Sequence, residues 1–194
     1  MKTVISRISQ SFLVLFMFAS ASNAYAADFV KVRMQTSAGD IVLELNREKA
    51  PVSVKNFLSY VDSGAYDGTI FHRVIDNFMI QGGGFDENYT RRPTQAPILN
   101  EGSNGLKNVR GSIAMARTNA VHSATSQFFI NLKNNSFLDH QNKTPRGYGY
   151  AVFGKVIEGM NTVDAIRSVK TSSGGPFAKD APVTKIVINK IIVE

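Results

Sequence analysis

The chain has 194 residues, a formal net charge of +7 and no cysteine. Neither disulfides nor thiol chemistry can contribute, so stability must come from an apolar core. Beyond the N-terminus the basic residues are scattered, Arg91-Arg92 being the longest run, which excludes a nucleic-acid-binding stripe and leaves a solvated, mildly cationic surface.

In chain order, Lys2 and Arg7 form a positive start, Phe12 to Ala19 is an unbroken apolar run, and Ala24-Tyr25-Ala26 is an A-x-A cleavage pattern. These features read as a secretory signal peptide over 1–26, followed by one domain over 27–194. The apolar run is far shorter than the roughly 20 residues needed to span a bilayer, and no Cys follows it for a lipid anchor. Cleavage after Ala26 leaves 168 residues (194 minus 26), enough for one core, and a charge of +5 once Lys2 and Arg7 are gone.

Val30, Val32 and Met34 alternate with Lys31, Arg33 and Gln35, the period of a half-buried strand, and Ala38-Gly39-Asp40 turns the chain into a second strand over Ile41 to Leu45. Val54, Phe57, Leu58 and Val61 fall at i, i+3, i+4 and i+7 behind Pro51 and ahead of Gly64, which predicts an amphipathic helix. Two apolar strands, Ile70 to Ile75 and Phe78 to Gln81, are expected to pair about a turn at Asp76-Asn77. Alternation then lets Arg73 share a face with Phe71 and Ile75, and Gln81 with Met79.

Gly82 to Arg110 is polar and rich in Gly, Asn and Pro, and is expected to wrap the body as a long ordered loop. Met160, Val163 and Ile166 mark a second, shorter helix from about Gly159. In the last strand Ile186, Ile188, Lys190 and Ile192 are expected on one face, with Val187, Ile191 and Val193 on the other. Many short strands with two helices predict a closed β-structure capped by helices.

Arg73 is the first candidate for function. A guanidinium does not lose its charge at working pH, so placing it among apolar side chains is costly unless something accepts its hydrogen bonds. The residues alone leave open that it ends in a surface salt bridge and that the aromatics fill the core. Other candidates read as structural. His72, His122 and His140 fit no metal-ligand spacing. Gly82-Gly83-Gly84 is followed by no Lys-Ser/Thr pair and suggests backbone crowding or a bulge, and Ser123 and Ser126 lack a hydrolase-type His–acid arrangement. The sequons at Asn88, Asn134 and Asn142 are read as chance.

The block from Phe71 to Gly84, with Gly111-Ser112-Ile113-Ala114-Met115-Ala116-Arg117, Ser126-Gln127-Phe128-Phe129-Ile130-Asn131, Phe137-Leu138-Asp139 and Tyr150 to Val156, resembles the cyclophilins, the peptidyl-prolyl cis/trans isomerases. The resemblance runs from about Val30 to the end. With the export signal it points to the periplasmic cyclophilins of Gram-negative bacteria, release from the cell being the alternative location. It implies an eight-stranded antiparallel barrel capped by two helices, with no cofactor and no metal.

It also implies residue roles. Arg73 would be catalytic, and Gln81 would hold a substrate carbonyl and help orient Arg73. Phe78, Met79, Phe129 and Leu138 would grip a proline ring, with Phe78 and Phe129 in a groove and Phe71 and Phe153 in the core. Ala116, Arg117 and Gln127 match positions that bind peptide backbone or the residue before proline. Phe137 stands where many eukaryotic members carry Trp, Tyr150 where many carry His, and Arg117 where Asn is usual. Phe has no indole N–H, so weak cyclosporin binding is expected. The expected partners are proline-containing unfolded or partly folded polypeptides, without nucleic acid or, after signal cleavage, membrane, and the expected state is a monomer. The competing reading is a module that holds proline segments as a chaperone, with incidental turnover.

Overall fold

The computed structural model describes residues 28–194; the segment 1–26, read from sequence as an export signal, lies outside the described residues. Strands β1 (Phe29–Thr36) and β2 (Gly39–Asn46) form the expected hairpin. Its register sets Val32 against Leu43 and Met34 against Ile41, all without solvent exposure. Helix α1 (Pro51–Asp62) carries Pro at its start and buries Val54 and Phe57. Ala50 at its N-cap has no side chain able to accept the first free N–H groups. Glu101 does this instead: Oε1 accepts from Val52 N–H at 2.9 Å, and Oε2 from Ser53 N–H at 2.8 Å and the Ser53 hydroxyl at 2.7 Å. The long polar loop is thus tied to the helix it passes.

The remaining elements are β3 (Thr69–Ile70), β4 (Arg73–Ile75), β5 (Met79–Gly82), β6 (Ser112–Met115), β7 (Phe128–Asn131), a short 3-10 helix (Ser136–Leu138), β8 (Val152–Glu158), α2 (Met160–Arg167), β9 (Thr171–Gly174), β10 (Phe177–Pro182) and β11 (Val187–Val193). Nine strands make one antiparallel sheet in the order β3-β11-β1-β2-β8-β6-β7-β5-β4, and β9 and β10 form a separate hairpin. The expected barrel is therefore a nine-stranded sheet that curls without full closure. Its two edge strands, β3 and β4, are linked only by Phe71-His72. From Ile70 to Arg73 the chain reaches at most about 10 Å, so covalent continuity rather than a ladder of hydrogen bonds brings the edges together.

This link corrects one expectation. Ile70 to Ile75 is not one strand, because Phe71 turns inward and donates its N–H to the Ile186 carbonyl at 3.0 Å. Phe71 and Val74 therefore both enter the main core, and Phe71 does not share a face with Arg73. The last strand also departs from strict alternation. Its register steps from Gln35 opposite Lys190 to Thr36 opposite Ile188, leaving Asn189 unopposed. This bulge flips the faces beyond it, so Ile188 and Ile191 are buried and Ile192 is exposed.

Strands β5, β6 and β7 are buried on both faces. Ile80, Ile113, Phe128 and Ile130 face the main core with Phe57, Phe71 and Phe153. Met79, Ala114 and Phe129 face outward and join Leu138 and Val152 in a second, smaller cluster, against which Ile75, Phe78, Ala116 and Tyr150 pack.

Candidate active site

The site grows from that outward face. At the β4–β5 turn Phe78 N–H donates to the Ile75 carbonyl at 3.1 Å, and Asn77 adopts φ 54°, a conformation Asn tolerates. The Asp76 carboxylate accepts from Asn77 N–H at 2.7 Å and pairs with Arg167 of α2. The Arg167 hydrogen bond holds the Asp76 carboxyl below its ordinary range. The hairpin end is thereby pinned to the second helix.

Register then aligns the chemistry. Arg73 lies opposite Gln81, Gln81 opposite Phe129, and Phe129 opposite Ala114, one row across four strands. Above it is a hollow of about 200 Å³ lined by Arg73, Phe78, Met79, Gln81, Ala116, Arg117, Phe129, Leu138 and Tyr150. Tyr150 meets Phe129 edge-on, with centroids 5.6 Å apart. All of these lining residues belong to the set expected from sequence, and Phe78 and Phe129 are in the groove while Phe71 and Phe153 are in the core.

Gln127 and Phe137 stand beside the hollow. Gln127 lines a smaller recess with Arg91 and Ser123. Phe137 is 61% exposed, stacks on Phe78 at 5.8 Å, and borders a neighbouring hollow of about 540 Å³ with Arg146.

Two of the lining side chains are engaged within the chain. Gln81 donates from Nε2 to Gln127 Oε1 at 2.8 Å and makes no hydrogen bond to Arg73, although the two residues are cross-strand partners. Arg117 commits its guanidinium to backbone, donating from Nε to Gly149 O at 2.9 Å, from Nη1 to Thr118 O at 2.9 Å and from Nη2 to Pro145 O at 2.7 Å. It also lies 4.7 Å over the Tyr150 ring. Arg117 is thus a brace for the loop that presents Tyr150, with one donor on each of its three nitrogens already engaged.

Arg73 is different. Its Nε sits 3.8 Å from Asp180 Oδ2, an ion pair too long for a hydrogen bond, and its nitrogens make no hydrogen bond to another described residue. Asp180, on β10, was not legible as a site residue, because nothing near it in sequence signals a link to β4. The surface salt bridge left open for Arg73 therefore exists, yet the same side chain also lines the hollow.

Two supports lie beneath. Gly83 has φ 79°, and a Cβ there would lie 2.8 Å from the Phe128 and Tyr66 rings; at Gly84 it would lie 2.5 Å from Gln127. The triple glycine is the crowded crossing expected of it. His72 is 1% exposed, stacks on Phe177 at 5.1 Å and meets Phe85 at 4.9 Å. Burial pushes its imidazole down to about 4, assisted by the adjacent Arg73 charge, while a hydrogen bond to the Ile70 backbone pulls the other way. It is a neutral structural ring.

The arrangement is an apolar cup with one cation at its rim whose donors are unfilled. Such a cup suits an apolar ring joined to a polar backbone.

Comparison with known proteins gives the same answer independently. Residues 31–193 match the family described as cyclophilin type peptidyl-prolyl cis-trans isomerase/CLD. The chain is 60% identical over 157 residues to a peptidyl-prolyl cis-trans isomerase of Streptomyces antibioticus, covering 81% of this chain and 94% of that one. It is 51% identical over 183 residues to peptidyl-prolyl cis-trans isomerase A of Dickeya dadantii, covering 94% of each. A crystal structure of a cyclophilin type isomerase from Cryptosporidium parvum superposes with TM-score 0.67 at 30% identity, over 86% of this chain and 98% of that one. The same protein has been crystallised in the presence of the dipeptide Ala-Pro. A curled antiparallel sheet, a hollow walled by Phe78, Met79, Phe129 and Leu138 with Arg73 at its rim, and these matches converge: the chain belongs to the cyclophilin-type peptidyl-prolyl cis-trans isomerases, enzymes whose substrates are proline-containing peptides.

Proposed function

We propose that catalysis takes place in the hollow lined by Arg73 and Phe129, and that Arg73 is its catalytic residue. Rotation about a peptide C–N bond faces a barrier of roughly 18–20 kcal/mol because conjugation must be broken. Uncatalysed X-Pro exchange therefore takes on the order of tens to hundreds of seconds. Raising a rate of about 10⁻² to about 10³ per second requires removing roughly 7 kcal/mol from the barrier. No bond is made or broken, so the residues need only bind the twisted amide better than the planar one.

As the amide twists, the prolyl nitrogen loses conjugation and gains a localised lone pair. A guanidinium beside it stabilises that state selectively. Phe78, Met79, Phe129 and Leu138 hold the ring while the acyl side turns, and Ala116 and Gln127 flank the residue before proline. One observation carries the assignment: of the two arginines lining the hollow, Arg117 has its nitrogens bonded to carbonyls, whereas Arg73 keeps its hydrogen-bonding capacity unfilled.

The test is cis-to-trans exchange of a short Xaa-Pro peptide, read by NMR, beside Arg73→Ala. The variant should lose at least about a hundredfold in kcat/KM, comparable to removing one preorganised donor, while peptide affinity changes far less. Exchange that survives in Arg73→Ala would leave a proline-holding groove in which the cation is incidental.

The physiological setting we propose is the periplasm, where the mature chain assists folding of exported proteins, after cleavage at Ala26. The charged start, apolar run and A-x-A pattern support it. The chain acts as a monomer; its exposed large apolar residues, such as Phe29, Leu99, Phe137 and Val183, come from separate strands and loops. Cyclosporin binds weakly because Phe137 offers no indole donor. Fractionation with mass measurement of the mature N-terminus, and sedimentation, check location and state.

A further inference from the structure

We propose that Asp180 is a positioning residue for Arg73, holding the guanidinium from outside the hollow so that its terminal nitrogens stay directed at the substrate amide. This inference rests on the reading of Arg73 as the catalytic residue. Asp180 does not line the hollow. Its Oδ2 lies 3.8 Å from Arg73 Nε, and no other charged partner of Arg73 occurs among the described residues. The carboxylate side chain is 22% exposed and the guanidinium 40%, so the pair is partly shielded from water.

The backbone is shaped for this placement. The β9–β10 ladder pairs Phe177 with Gly174 and then slips, resuming only at Ala181 opposite Ser172. Within that irregularity Asp180 takes φ 66°, in the left-handed region that is uncommon for a residue other than glycine. The hairpin is anchored on both sides. Phe177 stacks on His72, the residue before Arg73, and meets Phe85 edge-on at 5.2 Å, while Tyr89 packs against Gly174 and Gly175. The hairpin therefore delivers one carboxylate to the rear of the guanidinium from a fixed platform.

Two effects of that carboxylate oppose each other. It restricts a long, flexible side chain to the rotamers that face the hollow, and its negative charge lowers the positive potential there. Orientation wins, because catalysis falls steeply with small misplacements of a reacting group, whereas screening by a partly exposed charge is weak.

The experiment uses the mature protein with Asp180→Gly, which keeps the left-handed backbone, and Asp180→Asn, which keeps the shape without the charge. Each is made in the native and the Arg73→Ala backgrounds. Exchange of an Xaa-Pro peptide is measured at enzyme concentrations that keep residual rates above buffer. Asp180→Gly should lower kcat about tenfold with KM within about twofold, and Asp180→Asn should fall between it and wild type. Neither should matter in the Arg73→Ala background. Unchanged or faster turnover in Asp180→Gly, or an equal loss with and without Arg73, overturns the proposal, the latter pointing to general damage to the hairpin. A wild-type rate for Arg73→Ala sinks the reading of Arg73 and this inference together. An Arg73-dependent rate indifferent to Asp180 sinks this inference alone.

Discussion

Lowering the pH below 6.5 should expose the cost of burying His72. The imidazole is 1% exposed, its Nδ1 has no hydrogen-bond partner, and burial holds it neutral down to about pH 4, against an ordinary value of 6.5. The unfolded chain therefore binds a proton in this window that the folded chain refuses. The group's contribution to stability is fully present above pH 6.5 and is lost as pH falls through 4. The interval of about 2.5 pH units corresponds to about 3 kcal/mol in all, with about 2 kcal/mol already gone at pH 5. Urea unfolding at pH 7 and pH 5, for wild type and His72→Phe, isolates this group because His122 and His140 remain in both proteins. Phenylalanine can occupy the slot between Phe85 and Phe177 and cannot titrate. Wild type should lose about 2 kcal/mol more than the variant between the two pH values. Equal losses would show that His72 is not buried as a neutral ring, and the account of the β9–β10 platform would lose one of its anchors.

Glu101→Ala should destabilise the chain by about 1–2 kcal/mol in urea unfolding, since it leaves the first N–H groups of α1 without acceptors while Ala50 offers none. Glu101→Gln should recover part of the loss. Cyclosporin titrated against isomerase activity should inhibit only at concentrations well above nanomolar; tight inhibition would show that the stacked Phe78–Phe137 pair receives the ligand without an indole donor.

Both helices and the first hairpin could be read from local pattern, because period and turn chemistry act over a few residues, whereas Phe78, Met79 and Phe129 were placed in a groove only by the family resemblance. The triple glycine was legible as backbone crowding or a bulge, and the structure shows the crowding at Gly83, under Phe128 and Tyr66. Strands β6 and β7 hid their two faces from any pattern, since apolar residues serve the main core on one side and the second, outward cluster on the other. Phe71 and Ile192 were misplaced because alternation assumes an unbroken strand, and here the Phe71-His72 link and the bulge at Asn189 each shift its parity.

The sequence by itself determined the family and, through the motifs that carry the resemblance, which residues line the hollow, because Arg73, Met79, Ala116, Phe129, Leu138 and Tyr150 each sit in one of those motifs. What only the tertiary structure decided is how those groups are held. Glu101 reaches α1, Arg117 turns to the carbonyls of Gly149 and Pro145, Gln81 turns to Gln127, and Asp180 stands behind Arg73. Each is a polar contact between segments distant in the chain, set by where the curled sheet and its hairpin bring them, and no local periodicity encodes such a meeting.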